Sequence, residues 1–265
     1  MKWTRRVEFT IRSRLLPDSA PGDALLYSIF GDIHGNLEAL KNVLDHCKKE
    51  GVEKYLCLGD IVGYGANPDE CCDIVREMGC PVVAGNHDWA VCGKLSIEFF
   101  NTYAKQAVYW TRDNIKDVNM QFLRELPLVH EVNEDITLVH GSLNFPDLFD
   151  YIQTSQDARL SLDKLRTRVC FLGHSHVPVT FFSGPMVSYS MSYEINLKGF
   201  EKALVNVGSV GQPRDENPKA CFAIYDTENE VVKITRLEYD VEATGRKILD
   251  AGLPEILAER LKFGR

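Results

Sequence analysis

The amino-acid sequence predicts an α/β fold in which two packed β-sheets are flanked by helices. In residues 24–85, short apolar runs that end at glycine alternate with amphipathic helical segments, which is typical of an α/β sheet with functional loops at its strand ends. From Leu128 onward, short strand-like segments dominate and indicate a second group of strands. The chain has 265 residues, which is enough to bury a sizeable core.

Three strands and two helices are expected in the first part of the chain. An apolar run that stops at Gly31 predicts a buried strand, and apolar residues at helical spacing from Leu37 to Leu44 predict a helix after it. Pro68 begins a second helix, since proline is favoured in the first turn. The predicted elements are a strand at 24–30, a helix at 36–50, a strand at 53–58, a helix at 68–78 and a strand at 81–84.

The segment 96–122 is helical in pattern and rich in aromatic side chains. It could form an aromatic wall of a substrate site, but we favour a helix pair that covers the core. Seven short strands are predicted after it, at 128–132, 136–139, 169–172, 179–182, 203–207, 221–225 and 231–236. Helices are predicted at about 157–167, 241–249 and 254–261, and the segment 183–198 is expected to be a hairpin or an interface strand.

Composition argues against several classes of function. Lysine and arginine number 30 against 38 aspartates and glutamates, a formal charge of −8, so no basic face for duplex nucleic acid is expected. No apolar run approaches the ~18 residues of a membrane helix. The eight cysteines form no C-x-x-C pair, and buried thiols in a reducing cytoplasm are expected. Residues 1–23 are expected to be a basic, weakly ordered extension before a single domain at 24–265.

Five glycine-flanked segments carry side chains that can bind metal, each directly after a predicted strand. They are GDIHGN at 31–36, GD at 59–60, GNHD at 85–88, VHG at 139–141 and GHSH at 173–176. Five of the seven histidines fall in these segments, which chance clustering hardly produces. The Asp-x-His and His-x-His spacings put both side chains on one side of an extended backbone, so each pair can serve one cavity.

Seven side chains in these segments are candidate metal ligands. They are Asp32, His34, Asp60, Asn86, His140, His174 and His176. Seven ligands are too many for one tetrahedral zinc and suit two divalent transition-metal ions. Nitrogen and oxygen donors without thiolate favour Mn, with Fe, Co, Zn or Ni as alternatives. Two ions ~3.5–4 Å apart can lower the pKa of a bridging water and hold a phosphoryl group for in-line attack.

Taken in order, GDIHGN, GDIVGYGANP, GNHD, VHGS and GHSH resemble the calcineurin-like metallophosphoesterase superfamily over about residues 26–239. The resemblance implies a four-layer αββα sandwich of two mixed β-sheets flanked by helices. It also implies that Asp32, His34 and His176 bind one ion, that Asn86, His140 and His174 bind the other, and that Asp60 bridges them. His87 would stabilise transition-state charge or protonate the leaving oxygen. Asp88 would orient His87 or nearby backbone, unless it is only a loop cap.

One motif departs from the pattern of phosphoprotein phosphatases. These enzymes resemble the same superfamily but carry the pattern G-D-x-x-D-R-G at this motif. The symmetrical diadenosine tetraphosphatases share that pattern. Here Gly63 stands where the aspartate that orients the catalytic histidine is expected, and Tyr64 stands where the phosphate-binding arginine is expected. Loss of a bidentate arginine weakens the hold on a monoester dianion. This departure argues against a typical serine/threonine protein phosphatase.

Two stretches resemble a bacterial and archaeal phosphodiesterase branch related to diadenosine tetraphosphatases, namely 63–68 (GYGANP) and 206–215 (NVGSVGQPRD). The second stretch is either a phosphate contact with Arg214 as its cation or a structural turn. Tyr64 and Arg214 are therefore the candidate substrate-binding residues. The aromatic loop 144–151 could stack a nucleobase or pack its own side chains.

These features predict a dinuclear-metal-dependent phosphodiesterase that hydrolyses nucleotides or dinucleoside polyphosphates by attack of a metal-bridging hydroxide. The expected partner is a small-molecule phosphoester such as a nucleotide, and the oligomeric state is left open. One alternative is a phosphomonoesterase or serine/threonine protein phosphatase with a divergent phosphate clamp. Another is a non-catalytic scaffold of the same fold. The acidic composition is compatible with an anionic substrate because the metal ions supply positive charge.

Overall fold

Eleven strands and eight α-helices follow one another in the computed structural model, which describes residues 25–265. The predicted basic extension at 1–23 lies outside these residues. The strands are β1 (Leu26–Phe30), β2 (Lys54–Cys57), β3 (Val129–Glu131), β4 (Ile136–Val139), β5 (Val169–Leu172), β6 (Val179–Phe182), β7 (Ser188–Ser190), β8 (Glu194–Asn196), β9 (Ala203–Asn206), β10 (Ala220–Asp226) and β11 (Val231–Leu237). The helices are α1 (Leu37–Lys49), α2 (Pro68–Met78), α3 (Asn86–Val91), α4 (Thr102–Asn114), α5 (Asp117–Glu125), α6 (Ser155–Leu162), α7 (Val241–Asp250) and α8 (Glu255–Glu259), with 3₁₀ turns at Pro146–Leu148 and Arg260–Phe263.

The strands form two mixed sheets. A five-stranded sheet has the order β2-β1-β10-β11-β8, and a six-stranded sheet has the order β3-β4-β5-β9-β6-β7. In the first sheet β1 runs parallel to β2 and antiparallel to β10. In the second sheet β4, β5 and β9 are parallel, whereas β6 runs antiparallel to β9. The predicted α/β architecture of two mixed sheets is confirmed.

Alternation along the strands separates the layers. In β1, Ile29 faces the core between the two sheets, whereas Phe30 packs into the outer core under α1 and α2. In β5, Phe171 faces the same inner core, and Leu172 packs outward with α6. A strand turns successive side chains to opposite faces, so strands that are apolar on both faces need cover on both. The result is the expected sequence of helices, sheet, sheet and helix.

Several predicted elements differ in detail. The segment 81–84 makes only one bridge, Cys57 with Val82, because the amide of Ala84 turns away to the carbonyl of Pro127. The helix α3 was not predicted, since it begins inside the GNHD segment. The helix pair expected at 96–122 is present as α4 and α5. The segment 183–198 is divided between the sheets, because β7 forms an antiparallel hairpin with β6 in the six-stranded sheet and β8 pairs with β11 in the five-stranded one.

The candidate site lies at one edge of both sheets. The carboxyl ends of the parallel strands β1, β2, β4 and β5 lead directly into the glycine-flanked segments. Loops at the carboxyl ends of parallel strands are where α/β folds commonly bind ligands. Within residues 25–265, no helix has the length and apolarity that a membrane crossing requires.

Candidate metal centre

Two clusters of buried ligands share one carboxylate. Ligand atoms of Asp32, His34, Asp60 and His176 all lie within 4.8 Å of one another, and the same holds for Asp60, His140 and His174. All six side chains are almost fully buried. Asn86 joins the second cluster, since its Oδ1 lies 3.2 Å from Nε2 of His140. The structure therefore brings all seven predicted ligands together around Asp60.

The loops that carry these ligands are hydrogen-bonded to one another. The amide of Asp32 donates to the carbonyl of Gly59 at 3.0 Å, and the amide of His34 donates to the carbonyl of Asp60 at 2.9 Å. The amide of His174 donates to the Asp32 carboxylate at 3.0 Å. Each segment thus fixes the next one, and the ligands are held before any ion binds.

Five of the seven ligands have left-handed backbone conformations. Their φ angles are 50° for Asp32, 50° for His34, 48° for Asp60, 66° for His174 and 61° for His176. Such conformations cost roughly 1–3 kcal/mol each for residues other than glycine and concentrate at functional sites. The Asp-x-His and His-x-His pairs do reach one cavity, but not through the extended backbone that their spacing suggested. His174 and His176 also fall in different clusters.

Two glycines leave room for the carboxylates. A Cβ on Gly85 would lie 2.0 Å from Oδ1 of Asp60, and a Cβ on Gly173 would lie 2.3 Å from Oδ2 of Asp32. Neither distance is possible for non-bonded atoms. These positions require glycine because the metal-facing carboxylates occupy the space of a side chain.

Main-chain carbonyls orient three of the histidines. Nδ1 of His34 lies 3.1 Å from the carbonyl oxygen of Val62, Nδ1 of His140 lies 2.7 Å from that of Leu58, and Nδ1 of His176 lies 2.5 Å from that of Gln212. A carbonyl can only accept, so each Nδ1 carries a proton and each Nε2 of a neutral ring presents a lone pair to the cluster. This is the usual arrangement of metal-binding histidines.

The lone pairs that converge in the first cluster need a cation. Nε2 of His176 lies 3.1 Å from Nε2 of His34 and 3.2 Å from Oδ1 of Asp32. Burial lowers the pKa of both histidines, and the positive charge of Arg214 lowers the pKa of His176 further. Neutral rings with protonated Nδ1 have no hydrogen to share at these contacts. The donor set therefore fits a divalent transition-metal ion that accepts all three lone pairs.

The second cluster carries a strong internal charge pair. Burial alone would lower the pKa of His140, but the carboxylate of Asp60, 3.3 Å away, outweighs it and raises the pKa to about 9. Burial would likewise raise the pKa of Asp60, but His140 and His87 hold it well below its ordinary value. A proton on His140 thus occupies the position that a metal ion would take.

His87 lies beside the clusters, in an aromatic setting. Its ring centroid is 4.5 Å from that of Tyr64, 4.9 Å from that of His34 and 5.1 Å from that of Phe100. Burial lowers the pKa of His87 to about 4. Its Nδ1 has no hydrogen-bond partner among the described residues. A Cβ on Gly63 would lie 2.5 Å from that Nδ1, so the ring occupies the space that a side chain at position 63 would need.

Asp88 connects loops through hydrogen bonds to main-chain amides. Its carboxylate accepts hydrogen bonds from the amides of Ile61 (2.9 Å), Val62 (3.3 Å) and Gly85 (3.0 Å). Burial raises the pKa of Asp88 to about 7, and the negative charge of Asp60 adds to the effect. The bonds from Ile61 and Val62 hold nearby backbone, and the bond from Gly85 is that of a cap at the start of α3, so both interpretations of Asp88 stay open.

Tyr64 and Arg214 lie together at the side of the first cluster. The Tyr64 ring is buried, has φ 59° and packs 4.7 Å from the His34 ring. The Arg214 guanidinium lies 5.8 Å from the Tyr64 ring centre, within cation–π range. Its Nη2 donates to the side-chain oxygen of Gln212 at 3.0 Å. Both predicted substrate-binding residues therefore border the metal centre.

An aromatic cavity of about 320 Å³ opens in front of these residues. Its lining includes Tyr64, Asn86, His87, Phe99, Phe100, Phe149, Tyr151 and His174. Tyr151 stacks on His174 with centroids 4.0 Å apart. Phe145 and Phe149 of the loop 144–151 have φ of 54° and 52°, so this loop is conformationally constrained. Phe99 and Phe100 line this cavity, in agreement with the less favoured of the two predictions for the segment 96–122, that of an aromatic wall.

Comparison with known proteins identifies the family. The profile of the calcineurin-like phosphoesterase superfamily domain matches residues 25–230. An uncharacterised protein from Methanocaldococcus jannaschii is 41% identical over 245 residues, which cover 91% of this chain and 98% of that protein. The crystal structure of a metallophosphoesterase from Sphaerobacter thermophilus is 36% identical with a TM-score of 0.82, over 92% of this chain and 100% of that one.

A hypothetical protein from Pyrococcus horikoshii OT3 shares the fold at 22% identity with a TM-score of 0.74, over 91% of this chain and 99% of that one. The protein belongs to the calcineurin-like phosphoesterase superfamily and is a metal-dependent phosphoester hydrolase.

Proposed function

We propose that this member of the calcineurin-like phosphoesterase superfamily is a phosphodiesterase that uses two divalent transition-metal ions, Mn²⁺ foremost, to hydrolyse nucleotides or dinucleoside polyphosphates. The observation that supports this most directly is the sharing of Asp60 by two buried ligand clusters. Asp32, His34 and His176 would hold one ion, Asn86, His140 and His174 the other, and Asp60 both. When bound, such ions activate a water nucleophile and neutralise phosphoryl oxygens.

The protein supplies orientation and one proton-bearing group. Asp60 accepts a hydrogen bond from the amide of His87 at 2.8 Å, so the shared ligand also fixes the start of α3. A pKa of about 4 leaves the His87 ring neutral at pH 7, and a neutral ring bears one N–H. We assign that N–H to the phosphoryl or leaving-group oxygen at the cavity wall. Asp88 acts as a positioning residue that ties the Asp60 loop to the start of α3.

The cavity walls favour a diester with an aromatic substituent. Tyr64 replaces the arginine that would grip a monoester dianion, and it presents a ring in its place. Phe99 is 93% exposed at the cavity mouth, and Phe145 and Leu148 are 65% and 62% exposed on the facing loop. Exposed apolar side chains around a cavity mark a surface that a ligand covers. A nucleobase stacked on these rings fits that surface.

The test is a substrate panel on the protein as purified and after treatment with chelator. Bis-p-nitrophenyl phosphate, p-nitrophenyl phosphate, cyclic nucleotides, dinucleoside polyphosphates and a phosphopeptide would be compared with Mn²⁺, Co²⁺ and Zn²⁺. We expect metal-dependent activity with a higher kcat/KM on diesters and dinucleoside polyphosphates than on monoesters. A preference for the monoester or the phosphopeptide would instead establish a phosphatase. Full activity in metal-free protein would exclude the proposal.

A further inference from the structure

The segment 183–193 forms an open edge of the six-stranded sheet. β7 is the last strand of that sheet and pairs with β6, where Tyr189 lies opposite Phe181. Within residues 25–265, no strand pairs with the outer side of β7. An edge strand presents N–H and C=O groups that have no partner in their own sheet, and it is therefore a template for pairing with another chain.

This edge lacks the charges by which proteins usually keep such strands apart. No residue from Ser183 to Tyr193 is charged, whereas charged residues make up 26% of the whole chain. Large apolar side chains are exposed there instead. They are Met186, Tyr189, Met191 and Tyr193, which are between 53% and 85% exposed. Exposed apolar side chains that are concentrated in this way mark an interaction surface.

The fold fixes both ends of this segment. Nη2 of Arg159 on α6 donates to the carbonyl of Gly184 at 3.0 Å and to that of Pro185 at 3.1 Å. At the other end, the amide of Ile234 on β11 donates to the carbonyl of Tyr193 at 2.7 Å. Because the segment is already held by the fold, a partner that binds it has little conformational entropy to remove.

A cavity of about 450 Å³ opens beside β7. Phe181, Tyr189 and Met191 line it, and so does Ser175, which lies between the two histidines of the GHSH segment. The cavity therefore lies against the loop that carries two of the predicted ligands. A concave apolar pocket next to an exposed apolar strand is the kind of place in which a partner buries an anchoring side chain.

Charge favours a second copy of the chain as the partner. The segment offers no charged side chain that a basic or acidic partner could pair with, so the matching surface must be neutral and apolar. Two copies with a formal charge of −8 repel each other, and an uncharged segment is where they can approach at least cost. Antiparallel pairing of a strand with its own copy follows a two-fold axis, so that one edge serves both chains.

The exposed area is also sufficient for a dimer. An aromatic side chain, or one of similar size, has roughly 200 Å² to bury. At the exposed fractions of the four apolar side chains, contact would bury on the order of 500 Å² per copy. The pair of copies then reaches about 1,000 Å², which is the lower limit for a specific interface.

We propose that β7 of one copy pairs antiparallel with β7 of a second copy, which makes the two six-stranded sheets continuous in a two-fold symmetric dimer. Met186, Tyr189, Met191 and Tyr193 form the apolar part of this interface. The proposal does not depend on the substrate, since the cavity beside β7 is separate from the aromatic cavity in front of the metal centre.

The test is sedimentation velocity of the full-length protein over a range of concentrations. Tyr189→Lys and Met191→Lys bring like charges together across the two-fold axis, and Leu249→Lys, an exposed apolar position on α7, is the matched control. Thermal unfolding of each variant is recorded, because the Tyr189 ring also packs 6.3 Å from the Phe181 ring. Met191 is 63% exposed, so its replacement removes little buried surface and keeps the test valid if Tyr189→Lys does not fold.

We expect the wild type and Leu249→Lys to sediment as dimers. Each site variant should weaken dimerisation about 100-fold or more, because like charges that meet at an interface strongly oppose association. A wild type that is monomeric at every concentration would overturn the proposal, and the surface would then belong to a different partner. A dimer that persists in folded Tyr189→Lys and Met191→Lys would also overturn it, since its interface would lie elsewhere on the molecule.

Discussion

The Nε2 atoms of His34 and His176 lie 3.1 Å apart, although each ring uses its Nδ1 proton on a main-chain carbonyl and has none to offer the other. Two lone pairs at that distance in a buried site are unfavourable unless a cation lies against both. The strained φ angles of the same two residues add to this cost. The two nitrogens thus define a position at which a divalent cation could accept both lone pairs.

Asp60 and Asp32 should differ in the number of ions they hold. Asp60 belongs to both clusters and Asp32 to one. We therefore expect Asp60→Asn to lose both ions on dialysis and Asp32→Asn to lose one, as measured by metal analysis of the purified variants. Asp45→Asn, on the exposed face of α1, is the control and should retain both ions. Retention of two ions by Asp60→Asn would contradict a shared ligand.

Metal binding should release a proton from His140. Its pKa of about 9 keeps the ring protonated at pH 7 in the metal-free protein, whereas burial lowers the pKa of His34, His174 and His176 and leaves them neutral. We expect at least one proton released per protein at pH 7, and about half a proton less at pH 9. Calorimetry of Mn²⁺ binding in buffers of different ionisation enthalpy measures this number. A release that is constant from pH 7 to 9 would contradict the assignment.

The same shift affects the stability of the metal-free protein. The folded-state pKa of about 9 lies above the ordinary value of 6.5, so the attraction between His140 and Asp60 stabilises the fold fully below about pH 6.5. This contribution is lost as the pH rises through about 9. Urea unfolding of chelator-treated protein at several pH values should show that decline, and bound metal should remove it.

Gly85→Ala should destabilise the protein strongly, although it adds only one methyl group. The added Cβ would meet Oδ1 of Asp60 at 2.0 Å, so the loop must move, at a cost of about 1–3 kcal/mol and with loss of metal. Gly245→Ala is the matched control, because Gly245 lies inside helix α7 and its added Cβ would make an ordinary 3.6 Å contact with the Cβ of Ala258 on α8. That change should stabilise by about 0.5–1 kcal/mol. Urea unfolding of both variants tests the contrast, and equal effects would be inconsistent with the site geometry.

The ligand segments could be predicted because their chemistry is local. Asp32, His34 and their counterparts follow apolar strands at fixed glycine-flanked positions, and parallel strands bring such positions to one edge. The Asp-x-His spacing predicts an extended backbone, and this is wrong for Asp32 and His34, since both have left-handed φ angles. Strain of this kind is imposed by hydrogen bonds between loops, which no local pattern reveals.

Other features depend on contacts between distant segments. The loop 207–219 is joined to the chain end after the turn Arg260–Phe263 by the bond from the amide of Glu216 to the carbonyl of Gly264, and nothing in the sequence around either residue indicates this contact. The short helix α3 begins inside the GNHD motif. These residues are interpreted as a loop with a metal ligand, so the sequence pattern does not predict a helix there. The strands β7 and β8 lack a strong pattern because each is a three-residue edge strand.

His87 should affect catalysis and not metal binding. Its ring borders the cavity, contacts Tyr64 and Phe100, and is absent from both ligand clusters. We expect His87→Ala to lower kcat about 10²–10⁴-fold on bis-p-nitrophenyl phosphate, with metal content unchanged. His130→Ala, a partly buried histidine on β3, is the control and should keep wild-type kcat. Loss of an ion in His87→Ala would assign a different role to this ring.

Phe99 should contribute to binding of nucleotide substrates and little to stability. The side chain is 93% exposed, so Phe99→Ala removes almost no buried surface and should change the free energy of unfolding by no more than about 0.5 kcal/mol. If a nucleobase stacks on the ring, the same change should raise KM for a dinucleoside polyphosphate roughly 5- to 100-fold. Tyr109→Ala, an exposed aromatic residue on α4 that does not line the cavity, is the control. An equal rise in KM for inorganic pyrophosphate, which has no base, would show that Phe99 acts on the shape of the cavity and not by stacking.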